Sequence, residues 1–192
     1  MAVTLAGDGL PELVVVKRCF EFVRDQIRHS ADFKMNPVTC RASDVLRYKT
    51  GFCYAKSHLL AALLRANGIP AGLCYQRLSV GDRGAPYCLH GLNAVFLQDY
   101  GWYRLDPRGN KPGVIAEFCP PQEALAFAVR ERAERDLPEI WAEPLPVVVQ
   151  TLEAHSDYEQ VLAHLPDLHL MEQMIAADAT LPCITKETWV PG

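Results

Sequence analysis

A chain of 192 residues, 49% apolar and 22% charged, has the size and composition of one soluble domain with room for a small appendage. A net charge of −4 with no Lys/Arg cluster argues against nucleic acid as a partner. No run nears the ~20 apolar residues that cross a bilayer, so no membrane partner is expected either.

The start, Met1 to Asp8, lacks a basic stretch followed by an apolar one, which predicts no signal peptide and a cytoplasmic protein. Pro11 to His29 then reads as an amphipathic helix. Leu13, Val16, Phe20, Val23 and Ile27 share one face, and Lys17, Arg18, Glu21, Arg24, Asp25 and Arg28 take the other. Asn36-Pro37 breaks the chain, and Ser43 is the expected cap of a short turn through Arg47. Cys53 to Asn67 is apolar nearly all round, so it reads as a buried helix. Gly68 at its C′ position and Pro70 beyond it mark the end.

Strands are expected at Ala71 to Leu78, Tyr87 to Leu97 and Gly101 to Leu105, the last two joined by a turn near Gln98-Asp99-Tyr100. Pro120 to Arg135 suggests a further helix, apolar at Leu125, Ala128 and Val129. Leu137 to Pro146 reads as a Pro-rich strap around Trp141. Pro146 to Ala154 and Asp157 to Leu165 suggest two short helices, the second capped by Ser156, and the last dozen residues a tail. The expected division is a core over residues 1–136, with the strap and C-terminal helices of 137–192 packed on it.

Seven cysteines, an odd number without paired spacing, suggest reduced thiols, most of them filling core positions. No CxxC is present, so no metal site and no cofactor are expected; Cys88-Leu89-His90 alone is a weak ligand pair. Cys53 stands apart. It opens the buried helix, where free N–H groups and the positive end of the dipole favour a thiolate. His90 lies in a strand of small and apolar neighbours, and Asp106 follows the next strand. A thiol, an imidazole and a carboxylate in that order suit a nucleophile, its base and the group that orients the base. His90 and Asp106 are symmetric about Gln98, so an odd-length turn would set them side by side on one face, and an even turn on opposite faces. The alternatives are a structural thiol at Cys53, a core histidine at 90 and a turn residue at 106. The remaining histidines, at 29, 58, 155, 164 and 169, sit in polar contexts and are expected at the surface.

Three motifs arrive in order: Gly51-Phe52-Cys53-Tyr54-Ala55 with Leu63 to Ala71, then His90-Gly91-Leu92-Asn93-Ala94-Val95, then Gly101-Trp102-Tyr103-Arg104-Leu105-Asp106-Pro107. Together they resemble the core of the transglutaminase-like superfamily over roughly residues 12 to 115. The resemblance implies an α+β, papain-like fold, with the cysteine at the N-terminus of a buried helix packed on an antiparallel sheet. It also implies the triad Cys53, His90 and Asp106. The family's frequent Trp two residues after the His is Leu92 here, and Tyr54 replaces the Trp that follows the Cys in the crosslinking enzymes. Both changes bear on the cleft walls. The implied chemistry is acyl transfer through a thioester on a peptide or protein amide substrate, with hydrolysis favoured over crosslinking. No EF-hand-like loop is present, so calcium independence is expected. Two rival readings are an arylamine N-acetyltransferase, which shares the Cys-His-Asp order, and a peptide- or partner-binding scaffold.

Overall fold

The computed structural model describes residues 1–168 apart from Asp8 and Asp82, together with Cys183–Ile184. The expected tail, that pair aside, and His169 lie outside the described residues. After a short helix α1 (Ala2–Ala6), helix α2 (Glu12–Gln26) buries Val15, Val16, Cys19, Phe20 and Val23 along one stripe. It ends three residues before the predicted His29. Ile27 turns extended (φ −107, ψ 113), its carbonyl is taken by the Lys56 ammonium, and Arg28–His29 forms strand β1 in place of a last turn. β1 pairs in parallel with β2 (Thr50–Gly51), and the short helices α3 (Ser30–Phe33) and α4 (Ala42–Tyr48) lie between them. Ser43 is not the cap of α4. The helix begins two residues earlier, at Ala42, with Arg41 at the N-cap and its carbonyl accepting from Asp44 and Val45.

Helix α5 (Cys53–Arg65) is the axis of the core, with ten of its residues buried, among them Leu59, Leu60, Leu63 and Leu64. Its C-terminus has the Schellman pattern: Ile69 N–H donates to Leu64 O (3.1 Å) and Gly68 N–H to Arg65 O (3.0 Å). Gly68 takes φ +72, a left-handed conformation that suits glycine, in the role its sequence position indicates.

Strands β3 (Ala71–Ser79), β4 (Tyr87–Leu97) and β5 (Gly101–Leu105) form an antiparallel meander, with the whole of β3 paired to β4 from Ala71↔Val95 to Ser79↔Tyr87. β5 pairs with β4 only from Asn93↔Leu105 to Leu97↔Gly101. One sheet face carries Leu73, Tyr75, Leu89, Val95 and Leu97 into the main core with α5; Cys74, Leu92 and Ala94 pack with Ile140 in a second cluster. Strands β8 (Arg135–Asp136) and β9 (Ile140–Trp141) pair with β3, so the Pro-rich strap joins the sheet, and β10 (Cys183–Ile184) pairs with β9.

No helix forms over residues 120–135. β6 (Glu117–Cys119) and β7 (Gln122–Ala124) make a hairpin instead, turning at Pro120-Pro121. The backbone of this stretch is committed elsewhere: Gln122 O accepts from the Tyr103 hydroxyl (2.9 Å), and Ala126 N–H donates to Asp106 Oδ2 (3.2 Å). The Glu123 side chain is held by Arg104. Helices α6 (Pro146–Ala154, with Pro at its first turn) and α7 (Tyr158–Ala163) follow as expected, but the α7 cap is Asp157, whose carboxylate accepts from Gln160 N–H at 2.9 Å. The architecture is α+β, a curled antiparallel sheet with helices packed on it. Among the described residues, no helix is long and apolar enough to cross a membrane.

Candidate active site

The N-cap of α5 is Phe52, which has no side-chain acceptor, so the first N–H groups of the helix carry no cap. The approach to it is braced by hydroxyls. Thr39 Oγ1 donates to Thr50 O (2.9 Å), and Ser30 Oγ lies 3.1 Å from Thr50 Oγ1. Cys53, 8% exposed, is thereby held at a helix start that opens onto a cleft of about 480 Å³.

α5 packs on the face of β4 that carries Gly91 and Asn93. A Cβ at Gly91 would stand 2.9 Å from Tyr54 Cδ1 and 3.2 Å from Tyr54 N, so only glycine lets the helix start this close to the strand. Asn93 Nδ2 donates to Ser57 O (3.0 Å). His90, one residue along, projects to the other face. The thiol and imidazole come together where β5 stops pairing at Asn93, leaving the edge of β4 beside them uncovered by β5. Gly91 N–H points off that edge at Cys53 Sγ, 3.5 Å away.

The turn between β4 and β5 has three residues, Gln98 to Tyr100, between the paired Leu97 and Gly101. This odd length puts His90 and Asp106 on one face. The register makes them diagonal neighbours rather than directly opposed, since Asp106 follows Leu105, the partner of Asn93. Their side chains meet: His90 Nε2 lies 2.7 Å from Asp106 Oδ2, with both residues buried. Asp106 also accepts backbone N–H from Arg108 (3.0 Å) and Ala126 (3.2 Å). Burial alone would raise its pKa, but the His90 charge and these bonds outweigh it and hold the carboxyl below its usual range. Burial likewise disfavours charge on His90. Asp106 and the Cys53 sulfur more than offset it, raising the imidazole to about 10. With Nε2 engaged by Asp106, Nδ1 is the nitrogen left to serve the thiol. Phe127 packs edge-on against the ring with centroids 5.0 Å apart.

The structure thus brings together Cys53, His90 and Asp106. Burial raises the thiols of Cys19 and Cys40 to about 11 and that of Cys88 to about 12. One expectation is overturned at the cleft wall. His29 is buried, not at the surface, packing edge-on against Phe52 with centroids 5.7 Å apart. Among the described residues its Nδ1 has no hydrogen-bond partner, lying 3.8 Å from Asp32 Oδ2. Burial and the cations of Arg108, Lys56 and His90, against the pull of Asp32, push its pKa well below 6.5, so it is a neutral imidazole. His58 is mostly buried as well, with Nδ1 2.9 Å from Cys40 O. Lys56 is a further group that periodicity does not reveal. It is fully buried on α5, and Nζ reaches Ile27 O and Arg24 O (3.3 Å). Among the described residues, no three His, Cys, Asp or Glu side chains converge as a metal would need.

A cysteine at a helix start beside a histidine–aspartate pair on an antiparallel sheet is the layout of the papain-like folds. Residues 2–107, more than half of the chain, match the model of the transglutaminase-like superfamily, and the protein belongs to that superfamily. It is in general a family of cysteine-dependent enzymes. Among solved structures, the chain is similar to a candidate cysteine protease from Cytophaga hutchinsonii (20% identity, TM-score 0.45, 56% of this chain and 35% of that one). It is also similar to the periplasmic domain of TgpA from Pseudomonas aeruginosa (21% identity, TM-score 0.43, 55% and 40%) and to a TGase (14% identity, TM-score 0.44, 66% and 34%). The matches span well under half the length of those chains. No curated protein matches the sequence.

Proposed function

We propose that this protein catalyses thiol-dependent acyl transfer on peptide or protein amides, with water as the usual acceptor. The observation that carries the reading is the buried His90–Asp106 pair, 2.7 Å apart, beside a cysteine at an uncapped helix start. In this reading Cys53 Sγ attacks the amide carbonyl and His90 Nδ1 holds the thiol proton. The tetrahedral oxyanion takes the Cys53 N–H, which as the first of the helix has no intrahelical acceptor. Collapse of the intermediate breaks the C–N bond, and His90 delivers the proton to the departing amine. Water, activated by the imidazole, then releases the acid and restores the thiol. Asp106 fixes the ring and stabilises the imidazolium. Water at ~55 M prevails unless an amine is held at high effective concentration. Glu134, the carboxylate among the described residues of the cleft wall, already accepts N–H from Ser79 and Arg130, which favours hydrolysis over crosslinking. The reduced thiols of Cys19, Cys40, Cys53, Cys88 and Cys119 suit a reducing, cytoplasmic setting.

The test is the rate of iodoacetamide labelling at each cysteine, read by mass spectrometry in wild type and His90→Ala. Cys53 should react fastest at pH 7 and slow markedly without the imidazole. An inert Cys53, or one indifferent to His90, would overturn the reading.

A further inference from the structure

The edge of β4 that β5 leaves beside the nucleophile is not empty. Leu89 and Gly91 present successive outward N–H groups on that edge, two residues or about 7 Å apart. Gly91 N–H points at Cys53 Sγ (3.5 Å), whereas Leu89 N–H donates to the carbonyl of Pro166 at 2.7 Å. The segment Leu165–Leu168, beyond the end of α7, therefore pairs with the strand one donor away from the thiol. Leu165 lines the same cleft as Cys53 and His90. Asp167 is gripped by Arg77 through two bonds, Nε to Oδ1 and Nη2 to Oδ2, each 2.7 Å.

Arg77 is fixed independently of that carboxylate. Its Nη1 donates to Ala133 O (2.8 Å) and its guanidinium lies 4.1 Å over the Tyr87 ring. It is thus a preorganised fork for a carboxylate. Leu89 is 1% exposed, so its N–H needs an acceptor. The present one belongs to a proline, which has no N–H to return and cannot extend a ladder along the edge. Leu165 and Leu168 pack on the main core, and between them the segment sets the Pro166 carbonyl and the Asp167 carboxylate on Leu89 and Arg77, the same two groups that an extended peptide with an acidic side chain would bring.

We propose that the β4 edge and Arg77 form a docking subsite for an extended peptide carrying an acidic side chain, and that Leu165–Leu168 occupies it as an internal ligand which substrate displaces. Backbone pairing to a sheet edge supplies the docking, as in strand addition, and the arginine supplies selectivity. This inference rests on the reading of Cys53 as the nucleophile and deepens it by naming the substrate class.

The experiment compares alkylation of Cys53 in the full-length protein by iodoacetamide and by two peptidyl chloromethyl ketones that differ only in carrying Asp or Asn. Asp167→Asn should speed labelling by the Asp peptide on the order of tenfold, the effect of ~1.4 kcal/mol, while the iodoacetamide rate stays unchanged. Arg77→Met should erase the preference for Asp over Asn. Peptide rates unmoved by Asp167→Asn, or a preference that survives Arg77→Met, would overturn the subsite while leaving the thiol reading intact. A Cys53 inert to iodoacetamide in every variant would sink both, and an unchanged iodoacetamide rate reports that each variant is folded.

Discussion

Two buried groups beside the site make opposed contributions to stability, and separating them is a demanding test of the structure. Lys56 is fully buried, and burial followed by the charge of Arg108 pulls its pKa from 10.5 down to about 7. The unfolded chain holds that proton to ~10.4, so unfolding takes up a proton between the two values and stability rises with pH. Integrating the difference in bound protons gives a gain of about 2 kcal/mol from pH 7 to pH 9. His90 works in the opposite sense. Its folded pKa of about 10 exceeds the ordinary 6.5, so its contribution is complete below 6.5 and is lost as pH climbs through 10. Over the same interval it gives up about 2 to 3 kcal/mol. The wild type should therefore show little net slope from this pair. Lys56→Met keeps the volume and removes one partner of the cancellation. Urea unfolding of both proteins at pH 7, 8 and 9 should show the wild type gaining about 2 kcal/mol relative to the variant. Loss of the bonds to Ile27 O and Arg24 O adds only an offset common to all three values. A difference that does not change with pH would mean that Lys56 titrates as an ordinary lysine, and the reasoning fails.

Asp106→Asn presents an amide N–H to one of the three donors that now share the carboxylate and removes the charge that keeps His90 protonated. Cys53 alkylation at pH 7 should slow by about tenfold or more, and an unchanged rate would separate Asp106 from the site. Gly91→Ala drives a methyl into the backbone of Tyr54 at 3.1 Å, which should cost about 1–3 kcal/mol in urea unfolding. Tyr54→Phe leaves the buried Leu89 carbonyl without its hydroxyl donor, a loss of about 1–3 kcal/mol by the same measurement.

The parts of this molecule that can be read from sequence are those whose signals are local. Helix α5 carries an apolar run and a Gly-Ile-Pro stop, and β3 to β5 alternate between clear turns, so their limits come within a residue or two of the observed ones. The order of Cys53, His90 and Asp106, with one parity argument about a loop, is enough to propose that they meet. What escapes is decided by distant partners. Residues 120–135 hold enough alanine, leucine and glutamate for a helix, yet Tyr103, Arg104 and Asp106 claim their backbone and side chains from another strand. α2 loses its last residues where the Lys56 ammonium, about thirty positions away in sequence, donates to the carbonyls of Arg24 and Ile27 at that end. His29 and His58 look solvated because their sequence neighbours are polar, but their rings point inward, and one-dimensional context does not report direction.

The three-residue loop from Gln98 to Tyr100 has a consequence for how this architecture tolerates change. Adding or removing one residue there, if the turn keeps its length and β5 slips by one position against β4, would turn Asp106 to the far side of the sheet from His90 and carry Tyr103 and Leu105 out of the core with it. Two residues would return it to the correct side, shifted along the strand. A hairpin exposed to water, where length variation is ordinarily harmless, is therefore constrained to even steps, and an odd insertion taken up in the register should disconnect the histidine and destabilise the core together.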